Sequence, residues 1–398
     1  MNMEQIKNRI NELYLELVEL RRDIHMHPEI GFQEYRTASL IEEYLGKLGI
    51  ETKRISKTGV VGVIQGKKQS PVVMLRADID ALPIQEENDL PFRSKNDGFM
   101  HACGHDAHTA MLLVAAKILS EVKGDLEGTV KLLFQPDEEG AGAIATLQEG
   151  VLSDPDVDAA FGMHIWSYLN SGQIGVSAGP IMAGLDVFQI VITGKGGHTG
   201  APENSIDPVL TAANVIQSVQ SLQTREISNL QPTVIVFGKI EGGTKGSIIP
   251  NKVLLEGTIR FLYQAGPESE EQPTERFIRI VKGICETHRC QCEIKIENEN
   301  IPLINDERMT ILARETAKQV FGSSDAIVEN RTLASDDFSE FSARIPGVLV
   351  FLGTAEKEKG TDFPHHNSRF NVDEESMREG VAMYVQYAMN YFKRHDAS

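Results

Sequence analysis

Four short, nearly unbroken apolar runs each break off into polar side chains suited to binding and proton transfer. VVML runs into Arg76-Ala77-Asp78, and VKLLF runs into Gln135-Pro136-Asp137-Glu138-Glu139. AAFGM runs into His164, and VLVFLG precedes a loop carrying His365 and His366. Runs of this kind read as strands buried on both faces. Helical segments alternate with them, including an amphipathic N-terminus with Ile6, Ile10, Leu13, Leu17 and Leu20 on one stripe, and the run Thr109–Val122. The fold expected is α/β, with a mainly parallel sheet covered on both faces. Ligands of such sheets bind beyond the carboxyl ends of the strands, which is where the polar groups fall.

The pattern changes near Gly184. LDVFQIVITG alternates with period two, as a half-exposed antiparallel strand does. A helix over Pro208–Gln223, strands over Thr233–Lys239 and Lys252–Leu262, a helix over Thr274–Thr287 and a strand over Cys292–Glu297 follow. That β-α-β-β-α-β order is ferredoxin-like. It predicts an inserted α+β lid or dimerisation domain over 184–298, splitting a catalytic domain formed by 1–183 and 299–398.

The chain has 398 residues, enough for two domains. Its formal charge of −18 argues against nucleic acid and anionic membrane as partners. No apolar run reaches the roughly 20 residues that span a bilayer. The charged N-terminus lacks the apolar stretch of a signal peptide, so the expected location is the cytoplasm. Cys285, Cys290 and Cys292 lie together and read as buried or edge cysteines.

The segment Met100-His101-Ala102-Cys103-Gly104-His105-Asp106-Ala107-His108 is different. It brings one thiol and three imidazoles together, ligands suited to zinc, cobalt, nickel or manganese and not to calcium or magnesium. Cys103 and His105 can be offered by one loop to two adjacent ions. Glu138 and Glu139 are consecutive, so their side chains diverge. One can bind metal while the other remains free as a general base. His164 and His366 would complete the shell, with His101 and His108 in supporting positions. A carboxylate at Asp78 or Asp80 can fix the tautomer of a ligand histidine. In the inserted segment, His198 follows a glycine-rich loop and can stabilise an oxyanion. Asn251 and Arg260 flank or lie on an alternating strand, and arginine suits a carboxylate.

The stretches RRDIHMHPEIGFQEYRT, LRADIDALPI, MHACGHDAHTAMLL, LLFQPDEEGAGA, GMHI, GKGGH, IPNKVLLEGTIR and PHHNSRFNVDE resemble the M20 metallopeptidase family. The branch they resemble is that of the N-acyl-amino-acid amidohydrolases, hippurate hydrolases and N-acetyldiaminopimelate deacetylases. The resemblance implies two divalent metal ions per chain, held by Cys103, His105, Glu139, His164 and His366, with Cys103 between them. It makes Glu138 the general base and later the proton donor. It has His198 polarise the scissile carbonyl, from a partner subunit of a homodimer or higher homo-oligomer, while Asn251 and Arg260 bind substrate. Two departures, Glu203 where many relatives carry His and Ala334-Ser335-Asp336-Asp337-Phe338 in place of a Gly-Ser-Glu-Asp-Phe-like segment, touch no expected ligand.

The function expected is hydrolysis of the amide of N-acyl amino acids or related small conjugates. A metallo-dipeptidase or carboxypeptidase on the same scaffold is the nearest alternative, and a non-catalytic metal- or ligand-binding protein is a more distant one.

Overall fold

The structure is a computed structural model that describes residues 1–263 and 272–396. The described residues form two compact units: Met1–Gly179 with Ile304–Arg331 and Asp336–Ser398, and Pro180–Leu303 with Thr332–Ser335. The sequence reading placed the change at 184–298 and missed the small return at Thr332–Ser335. That segment is tied to the second unit by hydrogen bonds: Thr332 N donates to Ile181 O, and Arg260 Nη1 donates to Leu333 O.

The first unit is built on an eight-stranded sheet. Its centre is four parallel strands, in the order Thr129–Gln135, Val72–Asp78, Ala159–Asn170 and Gly347–Ala355. Antiparallel pairs extend the sheet at both ends, through Gly59–Gln65 on one side and Ile174–Gly175 on the other. The expected mainly parallel, two-face-covered sheet is therefore found.

Alternation along the strands explains the layering. Val73, Leu75, Ala77, Val130, Leu132, Phe134, Phe161, Met163, Val348 and Val350 belong to one large core cluster. The helices Met3–Met26, His105–Glu121, Glu307–Phe321 and Met377–Asp396 pack together on that core. The intervening residues point the other way and are also covered. A Cβ added at Gly162, for example, would lie 3.0 Å from the Phe338 ring.

Two boundaries differ from the sequence reading in ways that matter for the site. The strand expected to stop at Met163 continues to Asn170, so His164 lies within it. The helix expected from Thr109 begins at His105, one turn earlier. Gly104 makes that start possible. Its φ is +92°, and a Cβ there would sit 2.0 Å from Ile165 Cδ1. His105 and His108 therefore stand in the first helical turn. Arg21 of the first helix bonds Asp106 at 2.8 Å in a fully buried pair, which locks that turn in place.

The second unit has a four-stranded antiparallel sheet in the order Thr233–Gly242, Lys252–Phe261, Gly184–Thr193, Gln291–Asn300. The helices Pro208–Ser218 and Pro273–Thr287 pack on it around Phe188, Ile190, Val215, Phe277 and Val281. This is the β-α-β-β-α-β order read from the sequence. Cys285 and Cys290 are buried in that core and Cys292 is partly buried. Among the described residues, no helix is long and apolar enough to cross a membrane.

Replacing Gly104 with Ala adds a Cβ where the backbone is left-handed and the space is filled. It should cost roughly 2–5 kcal/mol of stability, seen as a lower urea midpoint at unchanged slope. A midpoint equal to wild type would contradict the role given to Gly104.

Candidate metal centre

The carboxyl ends of the central strands deliver the site. Asp78 is the last residue of its strand and pairs with Gln135 across the sheet. Arg76 pairs with Gly162 on the other side, so His164 stands two residues further along, level with Asp78. The loop after Gln135 supplies Glu138 and Glu139, and the loop before the helix His105–Glu121 supplies Cys103. The loop after Gly347–Ala355 supplies His366. It is pinned to the cysteine loop by His366 N donating to Ala102 O at 2.9 Å.

These segments bring donor atoms within 4.8 Å of one another in three overlapping groups: Cys103, His105 and His164; Cys103, Glu139 and His366; and His105, Glu138 and Glu139. All six residues that the sequence singled out at the centre thus meet. Cys103, His105 and Glu139 each belong to two of the groups. Cys103 Sγ lies 3.5 Å from His164 Nε2, and His366 Nε2 lies 3.0 Å from Glu139 Oε1.

The donors fit divalent transition-type ions on a further count. His105 is fully buried, and among the described residues its Nε2 has no hydrogen-bond partner. An imidazole nitrogen is left bare in a core only at a cost, unless something binds it. Its Nδ1 is held by Asp80 Oδ1 at 3.0 Å, which turns Nε2 toward Glu138 Oε2 at 3.7 Å. Asp80 also accepts a hydrogen bond from Glu139 N through its other oxygen, at 3.1 Å. One carboxylate thus orients two of the candidate ligands.

Asp78 has a different task from the one the sequence suggested. Its short bond goes to His108 Nδ1 at 2.5 Å, whereas His105 Nε2 is 3.8 Å away. His108 in turn accepts a hydrogen bond from Ile165 N at Nε2 and stacks on His105. Asp78 therefore reaches the centre through His108, and Asp80 holds the candidate ligand His105.

A second buried layer, largely missed in the sequence, lies behind Glu138. Arg76 bonds Asp78 at 2.7 Å and Asp337 at 2.9 Å, and reaches Asp336 at 3.4 Å. Gln135 Nε2 donates to both oxygens of Asp337. Asp336 and Asp337 form a group with Glu138. Their signal in the sequence was the acidic pair before Phe338, noted only as part of a departure from the relatives' segment. His365, offered beside His366 as a candidate, is half-buried against Trp166 and Phe370, and its Nδ1 stands 4.0 Å from Cys103 Sγ.

The electrostatics are those of a cation site. Burial by itself would lower the His105 pKa, but Asp78 and Asp80 outweigh it and push it up to about 10. Burial, then Glu139 and Glu138, drive the Cys103 thiol well above its ordinary range. Burial, then Asp336, Glu139 and Asp337, raise Glu138 against the opposing pull of Arg76. Burial and the neighbouring His108 and His365 keep His164 neutral, the form that ligates. Divalent cations held by these donors would reverse this logic, favouring the thiolate and a bare His105 Nε2.

The other candidate residues lie in the second unit. His198 is exposed on the short strand Gly197–His198, and its Nδ1 accepts a hydrogen bond from Gly200 N at 2.9 Å. Asn251 Oδ1 accepts one from Gly196 N at 2.8 Å, holding the glycine-rich loop that leads to His198. Arg260 Nη1 donates to Leu333 O and Ser335 Oγ.

Asp80→Ala should weaken metal binding by about 10- to 100-fold, as loss of an orienting carboxylate does. Calorimetric titration with manganese or zinc reads this directly. Unchanged affinity would remove Asp80 from the centre.

The family model described as Peptidase family M20/M25/M40 matches residues 74–390. The chain is 40% identical over 376 residues to N-acetylcysteine deacetylase of Bacillus subtilis, covering 94% of this chain and 96% of that protein. It is 38% identical over 396 residues to thermostable carboxypeptidase 2 of Saccharolobus solfataricus, covering 98% of each. A solved structure from Bacillus subtilis, the YXEP protein, described as a dinuclear metal binding peptidase from the M20 family, superposes with a TM-score of 0.83. It shares 36% identity, over 96% of this chain and 99% of that one. The chain belongs to peptidase family M20/M25/M40.

Proposed function

We propose that the protein hydrolyses the amide bond of N-acyl amino acids or related small conjugates, releasing a carboxylic acid and an amino acid. Cys103, His105, Glu139, His164 and His366 would hold two divalent ions. The observation that carries the reading is the spare glutamate. Glu138 reaches the same cluster as the other donors, while Cys103, His105 and His164, and Cys103, Glu139 and His366, group together without it.

When bound, the ions lower the pKa of water and polarise the carbonyl oxygen. The residues of the chain do the rest. The Glu138 carboxylate takes the proton from the attacking water at one of its oxygens and returns it to the nitrogen of the departing amine. Its buried surroundings, with Asp336 and Asp337 beside it, raise its affinity for that proton. Arg76 counters those charges and keeps the carboxylate available. His198 accepts at Nδ1 from Gly200, so Nε2 carries the proton and can donate to the oxyanion. We place that His198 in a second copy of the chain, in a homodimer. Arg260 and Asn251 would contact the substrate carboxylate or carbonyl, Arg260 with the part of its guanidinium not spent on Leu333 and Ser335.

A carboxypeptidase or dipeptidase reading uses the same centre. It is favoured by the likeness to a relative named a carboxypeptidase. A panel of N-acetyl, N-benzoyl and dipeptide substrates with defined added metals separates the two readings by their relative kcat/KM.

Glu138→Gln should keep both ions bound while kcat falls by about 10²- to 10⁴-fold. Metal analysis and steady-state kinetics on the same preparation measure both quantities, and full turnover would exclude Glu138 as the base. Mixing Glu138→Gln chains with His198→Ala chains should recover activity beyond that of either variant alone. No recovery, with exchange of subunits verified, would contradict a His198 that acts between copies.

A further inference from the structure

We propose that Glu34 is a positioning residue for Glu138: its buried carboxylate holds a left-handed turn at Asp137, which aims the next side chain into the metal centre. The proposal rests on the reading of Glu138 as the catalytic base.

Asp137 has φ +49°. A residue with a side chain keeps that backbone conformation only where its surroundings hold it there. Three features do so. Asp137 N donates to Glu34 Oε1 at 2.9 Å. Asp137 Oδ2 accepts from Ala141 N at 3.1 Å, closing the turn from the other side. Gly31 offers a bare floor for the aspartate, since a Cβ there would lie only 1.6 Å from Asp137 Oδ1.

Glu34 is itself held in place. It is fully buried, and its Oε2 accepts from Thr58 Oγ1 at 2.6 Å. It stands at the N-cap of the helix Tyr35–Lys47, yet its side chain makes no cap hydrogen bond there. The carboxylate is turned away from its own helix and toward the Asp137 amide. A buried carboxylate costs free energy that an apolar side chain would avoid. The hydrogen bond to the left-handed turn accounts for its presence. Because Glu138 and Glu139 follow directly, a relaxed Asp137 would swing both side chains, and small displacements of reacting groups are expensive in rate.

The test uses the metal-loaded full chain and two readouts: steady-state kinetics and deuterium uptake of the peptide spanning residues 136–141. Glu34→Ala should raise uptake in that peptide and lower kcat by about tenfold or more, with KM changed by less than about twofold. Glu34→Gln should retain kcat within about threefold, because its amide oxygen still accepts from Asp137 N and its amide nitrogen can donate to Thr58 Oγ1. In an Asp137→Gly background Glu34→Ala should cost much less, since glycine adopts positive φ unaided. Unchanged uptake and kcat in Glu34→Ala, equal losses in the Ala and Gln variants, or full additivity with Asp137→Gly would each overturn the proposal. Should Glu34→Ala not fold, Thr58→Val loosens the same carboxylate and should shift both readouts in the same direction. No shift would overturn the proposal. Deuterium uptake does not depend on the chemistry. An active Glu138→Gln enzyme would therefore sink the base assignment and with it the catalytic half of this proposal. An inactive Glu138→Gln enzyme beside an unaffected Glu34→Ala chain would sink the role of Glu34 alone.

Discussion

Buried negative charge at the carboxyl ends of the central strands is the constraint around which the first unit is arranged. Asp78, Asp80, Asp106, Glu138, Asp336 and Asp337 are all buried there. An isolated carboxylate in a protein interior costs several kcal/mol, so each needs a partner. Arg76 faces Asp78, Asp336 and Asp337, while Arg21 and His25 face Asp106. Asp80 is met by His105. These pairings leave Glu138, Glu139 and the Cys103 thiol turned toward a space lined by His105, His164 and His366. Divalent cations held there would complete that balance and would supply the activation that hydrolysis needs.

The backbone meets the demands of this arrangement at three left-handed residues. Gly104 starts the helix that presents His105 and His108, Asp137 precedes the paired glutamates, and His366 has φ +63°. Regular strands and helices could not bring six side chains from four distant segments to one point. The irregular residues at the ends of rigid elements do so, and the elements behind them are closely packed.

Much of this was legible in the sequence because it depends on local pattern. Unbroken apolar runs gave the parallel strands, and period-two alternation gave the antiparallel sheet of the second unit. The motif around Cys103, the consecutive Glu138 and Glu139 and the histidines at 164 and 366 marked the centre by residue chemistry. What stayed hidden depends on three-dimensional neighbours. Nothing in LRADIDALPI says that Asp80 faces His105 while Asp78 faces His108; that choice is made by the start of the helix at Gly104. The partnership of Arg76 with Asp336 and Asp337 joins residues about 260 apart in the chain. Glu34 was not singled out in the sequence, because its contact with Asp137 joins residues 103 apart. The strand through His164 was cut short in the reading because its apolar run ends at Met163, although the ladder to Gly347–Ala355 continues beyond it.

Cys103 is the residue we propose as the ligand shared between two ions. Metal content by mass spectrometry, measured on wild type and Cys103→Ala after loading and exhaustive dialysis, tests this most directly. The account predicts about two divalent ions per wild-type chain and no more than about one in the variant, because removing the shared thiolate takes a ligand from both positions at once. Two ions retained in Cys103→Ala, or none bound by a folded wild-type chain, would contradict it.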